Sequence, residues 1–275
     1  MSEDPRDRLR VDQPTPARMY DYCLGGKDNF EIDRQAVERL YSTIGHVPRQ
    51  FAWENRRFLW RSVDYVARDL GISQFIDVGA GLPTARNTHE IAQEINPDAR
   101  VVYVDNDPIV VSHGRALLAT NASTVMVEGD AADPAGILSA PGTARLIDFS
   151  QPAAVLFVAL LPFVTAPGHH RHVEGSPSPA EVVAAFTERL APGSVLVLTH
   201  VTTDGVPGEQ VELLEDVFDQ ASSPMVFRSR EDIENLFTGW RLLPPGLVRP
   251  WQWRPDRPEP SGTPYFLAGV AVKDA

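Results

Sequence analysis

A carboxylate, Asp77, stands two positions ahead of Gly79 in the run Phe75-Ile76-Asp77-Val78-Gly79-Ala80-Gly81-Leu82-Pro83-Thr84. Paired glycines between a strand and a helix let backbone approach a bound ligand closely. Dinucleotide sites repeat glycine three positions further on, but here that position is Thr84, behind Pro83. A negative charge at Asp77 would repel a pyrophosphate and attract a sulfonium or an ammonium group. Val101-Val102-Tyr103-Val104-Asp105 then places a second carboxylate, with Asn106 beside it, where vicinal ribose hydroxyls need an acceptor pair. Val125-Met126-Val127-Glu128-Gly129-Asp130-Ala131 ends in another acid, suited to an adenine amino group, with the Ala131 N–H free for a ring nitrogen. Asp also gathers at strand ends in ordinary loops, so it is the series of three that carries the reading. Asp77 through Gly81, then Asp105, then Asp130 point to an adenosine ligand with a positively charged end, that is, S-adenosylmethionine.

Elements of the right kind flank these residues. Up to Gly71 the pattern is helical: Ala17–Leu24, Ile32–Ile44, and a run from Arg49 with Phe51, Phe58, Leu59, Val63, Val66 and Leu70 at helical spacing. Arg49, Arg56, Arg57 and Arg61 read as the solvated face of that helix, their stems packed down. Beyond Gly71 short β-rich runs (74–78, 101–105, 124–128, 154–158, 194–200) alternate with helical ones (86–95, 109–120, 180–190, 209–220). That alternation argues for an α/β fold with a parallel sheet covered on both faces. Two late strands, near Trp240–Leu243 and Tyr265–Val272, have no room for a helical crossover and should pair antiparallel at the sheet edge. Residues 1–14 are expected to be a disordered tail, 15–71 a helical extension or lid, and 72–275 the cofactor-binding domain.

The net charge of −12 argues against non-specific nucleic-acid binding. The most apolar run, Ala153–Val164, is too short to span a membrane, and the N-terminus has no secretory h-region. The lone Cys23 offers neither disulfide nor zinc cluster. A cytoplasmic protein without a metal is expected, and oligomeric state is not readable.

Three stretches together are specific: Pro16 through Phe30, carrying Tyr20-Asp21-Tyr22-Cys23-Leu24-Gly25-Gly26-Lys27-Asp28-Asn29-Phe30; Phe75 through Thr84; and Val102 through Pro108. A fourth match runs from Leu236 to Trp240. In these strings the chain resembles an actinobacterial family of S-adenosylmethionine-dependent methyltransferases with no assigned acceptor. The resemblance implies the Rossmann-like class I methyltransferase fold, a seven-stranded, mostly parallel sheet whose last strand is antiparallel. S-adenosyl-L-homocysteine would be the product.

The expected cofactor residues are Asp77, Gly79, Ala80, Gly81, Thr84, Asp105, Asn106, Asp130 and Ala131, joined by Tyr20 and Lys27 from the N-terminal signature. That segment is expected to fold over the methionine end, with Arg18 or Lys27 on the carboxylate and Tyr20 or Tyr22 facing the sulfonium. A plain helix cap at Gly25 and a new helix start at Asp28 or Asn29 is the competing reading, and both can hold. Base candidates are Asp28, Tyr22, His169 and His200. His169, His170 and His172 share a loop too open to suit a metal. Leu160-Leu161-Pro162-Phe163 stands where base-modifying methyltransferases carry a polar motif, which disfavours nucleic-acid N-methylation; a small-molecule acceptor is expected, with a protein acceptor as the other option. The alternatives are a regulatory protein that binds the cofactor without turnover and, less well supported, a nicotinamide enzyme.

Overall fold

The computed structural model describes residues 11–118, 121–255 and 261–274. Three helices come first: α1 (Pro16–Leu24), α2 (Glu31–Ile44) and α3 (Val47–Arg68). There follow β1 (Gln74–Val78), α4 (Thr88–Ile95), β2 (Arg100–Asp105), α5 (Pro108–Leu117) and β3 (Thr124–Glu128). The chain continues through α6 (Pro134–Ser139), α7 (Pro141–Leu146), β4 (Ala154–Val158), α8 (Pro179–Arg189), β5 (Val195–Val201) and α9 (Gly208–Asp219). It ends with α10 (Arg230–Asn235), β6 (Trp240–Leu242) and β7 (Phe266–Lys273).

The seven strands lie in the order β3-β2-β1-β4-β5-β7-β6. All contacts from β3 to β5 are parallel, and β7 inserts antiparallel between β5 and β6. The last strand is therefore antiparallel, and it pairs with the edge strand as their short separation required. Strand order reverses between β1 and β4, and such a switch point opens a crevice at the carboxyl ends of the strands.

Alternation along each strand sends side chains to two cores. Ile76, Val78, Val102, Val104, Val155, Phe157, Leu196 and Leu198 pack on one side with α6, α7, α8 and α10. Phe75, Val101, Tyr103, Ala154, Leu156, Val195 and Val197 pack on the other with Phe58, Leu59 and Val63 of α3, Ile91 of α4 and Val110 of α5. A third apolar cluster, separate from both, lies above the crevice. It joins Met19 and Cys23 of α1, Val37 and Leu40 of α2 and Phe51 of α3 to Leu214 and Phe218 of α9, Met225 and Phe266.

Three local expectations change. The helix expected over 86–95 starts later, at Thr88 behind an Asn87–Glu90 capping box, which leaves 82–87 as a loop over the crevice. Two short helices at 134–146 carry too few apolar repeats to show a period, and each instead begins at a proline. The 109–120 helix ends at Leu117, and residues 119–120 lie outside the described residues, as does most of the expected 1–14 tail. Among the described residues no helix is long and apolar enough to cross a membrane.

Candidate active site

The glycine turn is built by hydrogen bonds to the neighbouring strand. Gly79 and Gly81 adopt φ of 74° and 65°, the left-handed region open to glycine. The N–H groups of Gly79 and Ala80 donate to the Val104 carbonyl at 2.8 and 3.0 Å. Gly81 N–H donates to Asp105 Oδ2 at 2.9 Å, so two of the expected binding elements are fastened to each other. Asp105 Oδ1 accepts from Asp107 N–H at 2.9 Å, and Asp107 in turn caps α5 through Ile109 N–H. A carboxylate offers about four lone-pair sites, so acceptor capacity remains for a ligand hydroxyl. Burial pushes Asp105 up to about 6.

One strand further, Asn106 Nδ2 donates to Asp130 Oδ2 at 2.9 Å, while Asp130 Oδ1 accepts from Ala132 N–H. Asp77 is buried and accepts from Thr88 Oγ1 at 2.6 Å; burial raises its pKa while the Arg56 charge pulls it back. All nine strand-edge residues expected at the site line one cavity.

Helices α1 and α3 roof that cavity. Tyr20 donates its hydroxyl to the Ala52 carbonyl at 2.9 Å and accepts from Asn55 Nδ2 at 3.1 Å, and burial pushes the hydroxyl up to about 12. Arg56 does not belong to a solvated face: only 8% exposed, it lines the cavity beside Asp77. Arg49 and Arg57 are exposed, and Arg61 donates to the carbonyls of Trp253 and Pro250. Arg56 Nη2 lies 3.4 Å from Ala85 O, Arg86 O and Asn87 Oδ1, and among the described residues its Nε has no partner. Asn55 Oδ1, Thr84 Oγ1 and Thr15 Oγ1 are likewise buried without a partner, and all four residues line the cavity. A buried polar group left unpaired costs about 1–3 kcal/mol, so four around one space indicate polar ligand atoms there.

The N-terminal signature forms a loop organised by Asp21. Its Oδ2 accepts from Asp28 N–H at 3.0 Å and Asn29 Nδ2 at 2.8 Å. Gly25 caps α1 at φ 84°, and a Cβ at Gly26 would overlap the Asp21 carboxylate. Tyr20 and Asp21 line the cavity, whereas Lys27 and Asp28 are exposed and stand outside its lining. Asp28 Oδ1 lies 3.7 Å from Nε2 of His113 on α5, which puts this loop over the β2 side of the crevice. Arg18 is fully buried and paired with Asp33 Oδ2 at 2.8 Å, which commits it away from the cavity.

None of the four base candidates lines the cavity. Tyr22 donates to Glu38 Oε1 at 2.6 Å on the outer side of α1. The histidine loop clasps the end of α9, with His170 Nε2 2.9 Å from Asp219 Oδ1, His169 stacked on His170, and Arg171 donating to the carbonyls of Asp219 and Ala221. Burial lowers the pKa of His169. His200 is fully buried, with Nδ1 donating to Val201 O at 2.7 Å and Nε2 accepting from Arg228 Nη1 at 2.6 Å. Burial and then the Arg228 charge lower its pKa to about 3, so it stays neutral. It holds the guanidinium that bonds the carbonyls of Leu161 and Val164 beneath the cavity. Among the described residues no group of three or more His, Cys, Asp or Glu could hold a metal.

Asn55, Arg56 and Ala159 are among the lining residues that sequence reading missed. Asn55 and Arg56 sit in a helix whose period marks only their apolar neighbours. Ala159, after β4, holds φ of 57°, a backbone strain costing about 1–2 kcal/mol for a residue with a Cβ. Nothing in its residue type signals this.

A family model described as S-adenosyl methyltransferase matches residues 2–274. The chain belongs to that family. It is therefore an S-adenosylmethionine-dependent methyltransferase. A candidate methyltransferase of Thermobifida fusca has 42% identity and a TM-score of 0.88, each chain covered in full. A DUF574 family protein of Streptomyces avermitilis has 33% identity and a TM-score of 0.87, over 96% of this chain and 99% of its own. An O-methyltransferase family protein of Burkholderia thailandensis shares the fold alone, at 12% identity and a TM-score of 0.52, over 88% of this chain and 63% of its own. No curated protein matches the chain.

The methyltransferase's cavity suits its cofactor. Asp105 keeps acceptor capacity for a hydroxyl, Asp130 and Ala131 edge the next strand, and the unpaired Arg56 Nε is a donor suited to a carboxylate.

Proposed function

We propose that this methyltransferase acts on a small-molecule acceptor, with the cofactor lying along the carboxyl edge of the sheet. Its ribose is held by Asp105, its adenine lies between Asn106 and Ala131, and its carboxylate meets Arg56. The carrying observation is the single cavity that continues from the strand ends into the third apolar cluster, beneath α1 and α3. Roofed by α1 and α3, it is a chamber rather than the long open groove along which a nucleic-acid strand would lie.

When bound, the cofactor supplies a methyl carbon on a sulfonium, open to attack by an acceptor lone pair with S-adenosylhomocysteine leaving. Asp77 gives the chamber a negative charge near that sulfonium. The roof of α1 and α3 excludes water and fixes the approach of the acceptor, which supplies rate through alignment. No base candidate reaches the cavity, so alignment rather than proton abstraction carries the step in this reading.

Incubation with methyl-labelled cofactor and a cell extract split by size tests this directly. Label should enter the small-molecule fraction; label retained on protein or RNA would overturn the proposal.

A further inference from the structure

The cavity changes character along its length. At the strand ends it is lined by carboxylates and Arg56; under α1 and α2 the lining becomes Met19, Phe51, Phe163, Phe218, Met225 and Phe266. Phe51 packs on Phe266 with centroids 5.6 Å apart, and Phe163 on Phe218 at 5.7 Å. Rings and thioethers hold a flat ring through offset and edge contacts, with sulfur adapting to its outline.

Under α1 the lining also includes Asp21, whose Oδ2 is taken by Asp28 N–H and Asn29 Nδ2, Tyr20, whose hydroxyl bonds Ala52 O, and Cys23, pushed by burial up to about 12 and so a neutral thiol; Arg56, at the strand-end part, is the one cation among the described lining residues. An anionic acceptor under α1 and α2 would therefore lose its hydration without a counter-charge. Two polar atoms interrupt the apolar wall, Thr15 Oγ1 and Asn55 Oδ1, on residues 2% and 1% exposed and without partners. Asn55 Oδ1 accepts only, and it stands beside Arg56 and Tyr20, where the two parts of the cavity meet.

We infer that the acceptor is a ring-bearing molecule without a negative charge, with a hydroxyl or N–H donated to Asn55 and a second polar atom near Thr15. This rests on the cofactor reading above. Ser223, half-buried and without side-chain bonds, lines the same part and offers a place to obstruct it.

The test uses full-length protein saturated with S-adenosylhomocysteine and a matched probe pair, 2-naphthol and 2-naphthoate, titrated by calorimetry. The neutral probe should bind at least about tenfold tighter than the carboxylate. Ser223→Trp should weaken 2-naphthol by about tenfold or more while S-adenosylhomocysteine affinity stays within about twofold. Equal or tighter binding of 2-naphthoate, no saturable binding of 2-naphthol, or an unchanged naphthol affinity in the variant would overturn the inference. Failure of the wild type to bind S-adenosylhomocysteine would instead remove the cofactor reading, and this inference with it.

Discussion

The strand-edge half of the cavity and its helical roof are built on opposite plans. At the edge, ligand-facing groups are first tied to one another: Gly81 to Asp105, Asp105 to Asp107, Asn106 to Asp130. In the roof the polar atoms that face inward are left open, at Asn55, Arg56 and Thr15, while groups turned away from the cavity, such as the buried Arg18 and the outer Tyr22, are paired. In the proposed reading the edge is a preformed cradle for the common part of the cofactor, and the roof keeps unpaired groups whose partners would arrive with the ligands.

That contrast breaks most sharply at Arg56. Arg56→Met should weaken S-adenosylhomocysteine about a hundredfold, since losing one member of a buried charge pair costs about 2–5 kcal/mol. 5′-Methylthioadenosine, which lacks the amino-acid end, should keep its affinity within about twofold in the same calorimetric assay. Equal losses for both ligands would place Arg56 in folding rather than in recognition.

Asp105→Asn should instead weaken both ligands, by about tenfold or somewhat more, as expected for hydrogen bonds to a charged group worth about 1.5–3 kcal/mol. Its pH signature separates it further. With Asp105 pushed up to about 6, wild-type affinity should fall as pH drops through that value and the acceptor takes a proton, a dependence Asp105→Asn abolishes. The sign for stability is opposite: the unfolded carboxylate ionises near 3.8, so this group makes the free fold lose stability as pH rises from there through about 6.

Smaller effects test the loop that joins the halves. Asp21→Ala leaves Asn29 Nδ2 and Asp28 N–H without their acceptor and should cost about 1–3 kcal/mol, read as a lowered denaturation midpoint. Lys27→Ala, at an exposed position outside the lining, should change stability by less than about 0.5 kcal/mol and leave cofactor affinity unchanged. A tenfold affinity loss there would return Lys27 to the site.

The two halves also differ in how legible they were. Strand-end chemistry is local in sequence: a glycine turn, Asp105 and Asp130 each follow a β-rich run, so spacing alone orders them along one edge. The roof is made by tertiary packing. Arg56 looks like any cation on an amphipathic helix, and only the docking of α3 beneath α1 and beside the 82–87 loop buries it. His200 misleads in the other direction, since a histidine at a strand end invites a catalytic role that its bonds to Val201 and Arg228 leave no lone pair to fill. The GGKDNF string was specific as a signature, yet its residues serve mainly to fold a loop around Asp21.

A crystal structure with S-adenosylhomocysteine bound tests the central claim most directly. The expected result has a ribose hydroxyl on the Asp105 carboxylate and the ligand carboxylate on Arg56, under α1 and α3. A carboxylate pointing to solvent past Lys27, with Arg56 Nε still unpaired, would contradict it.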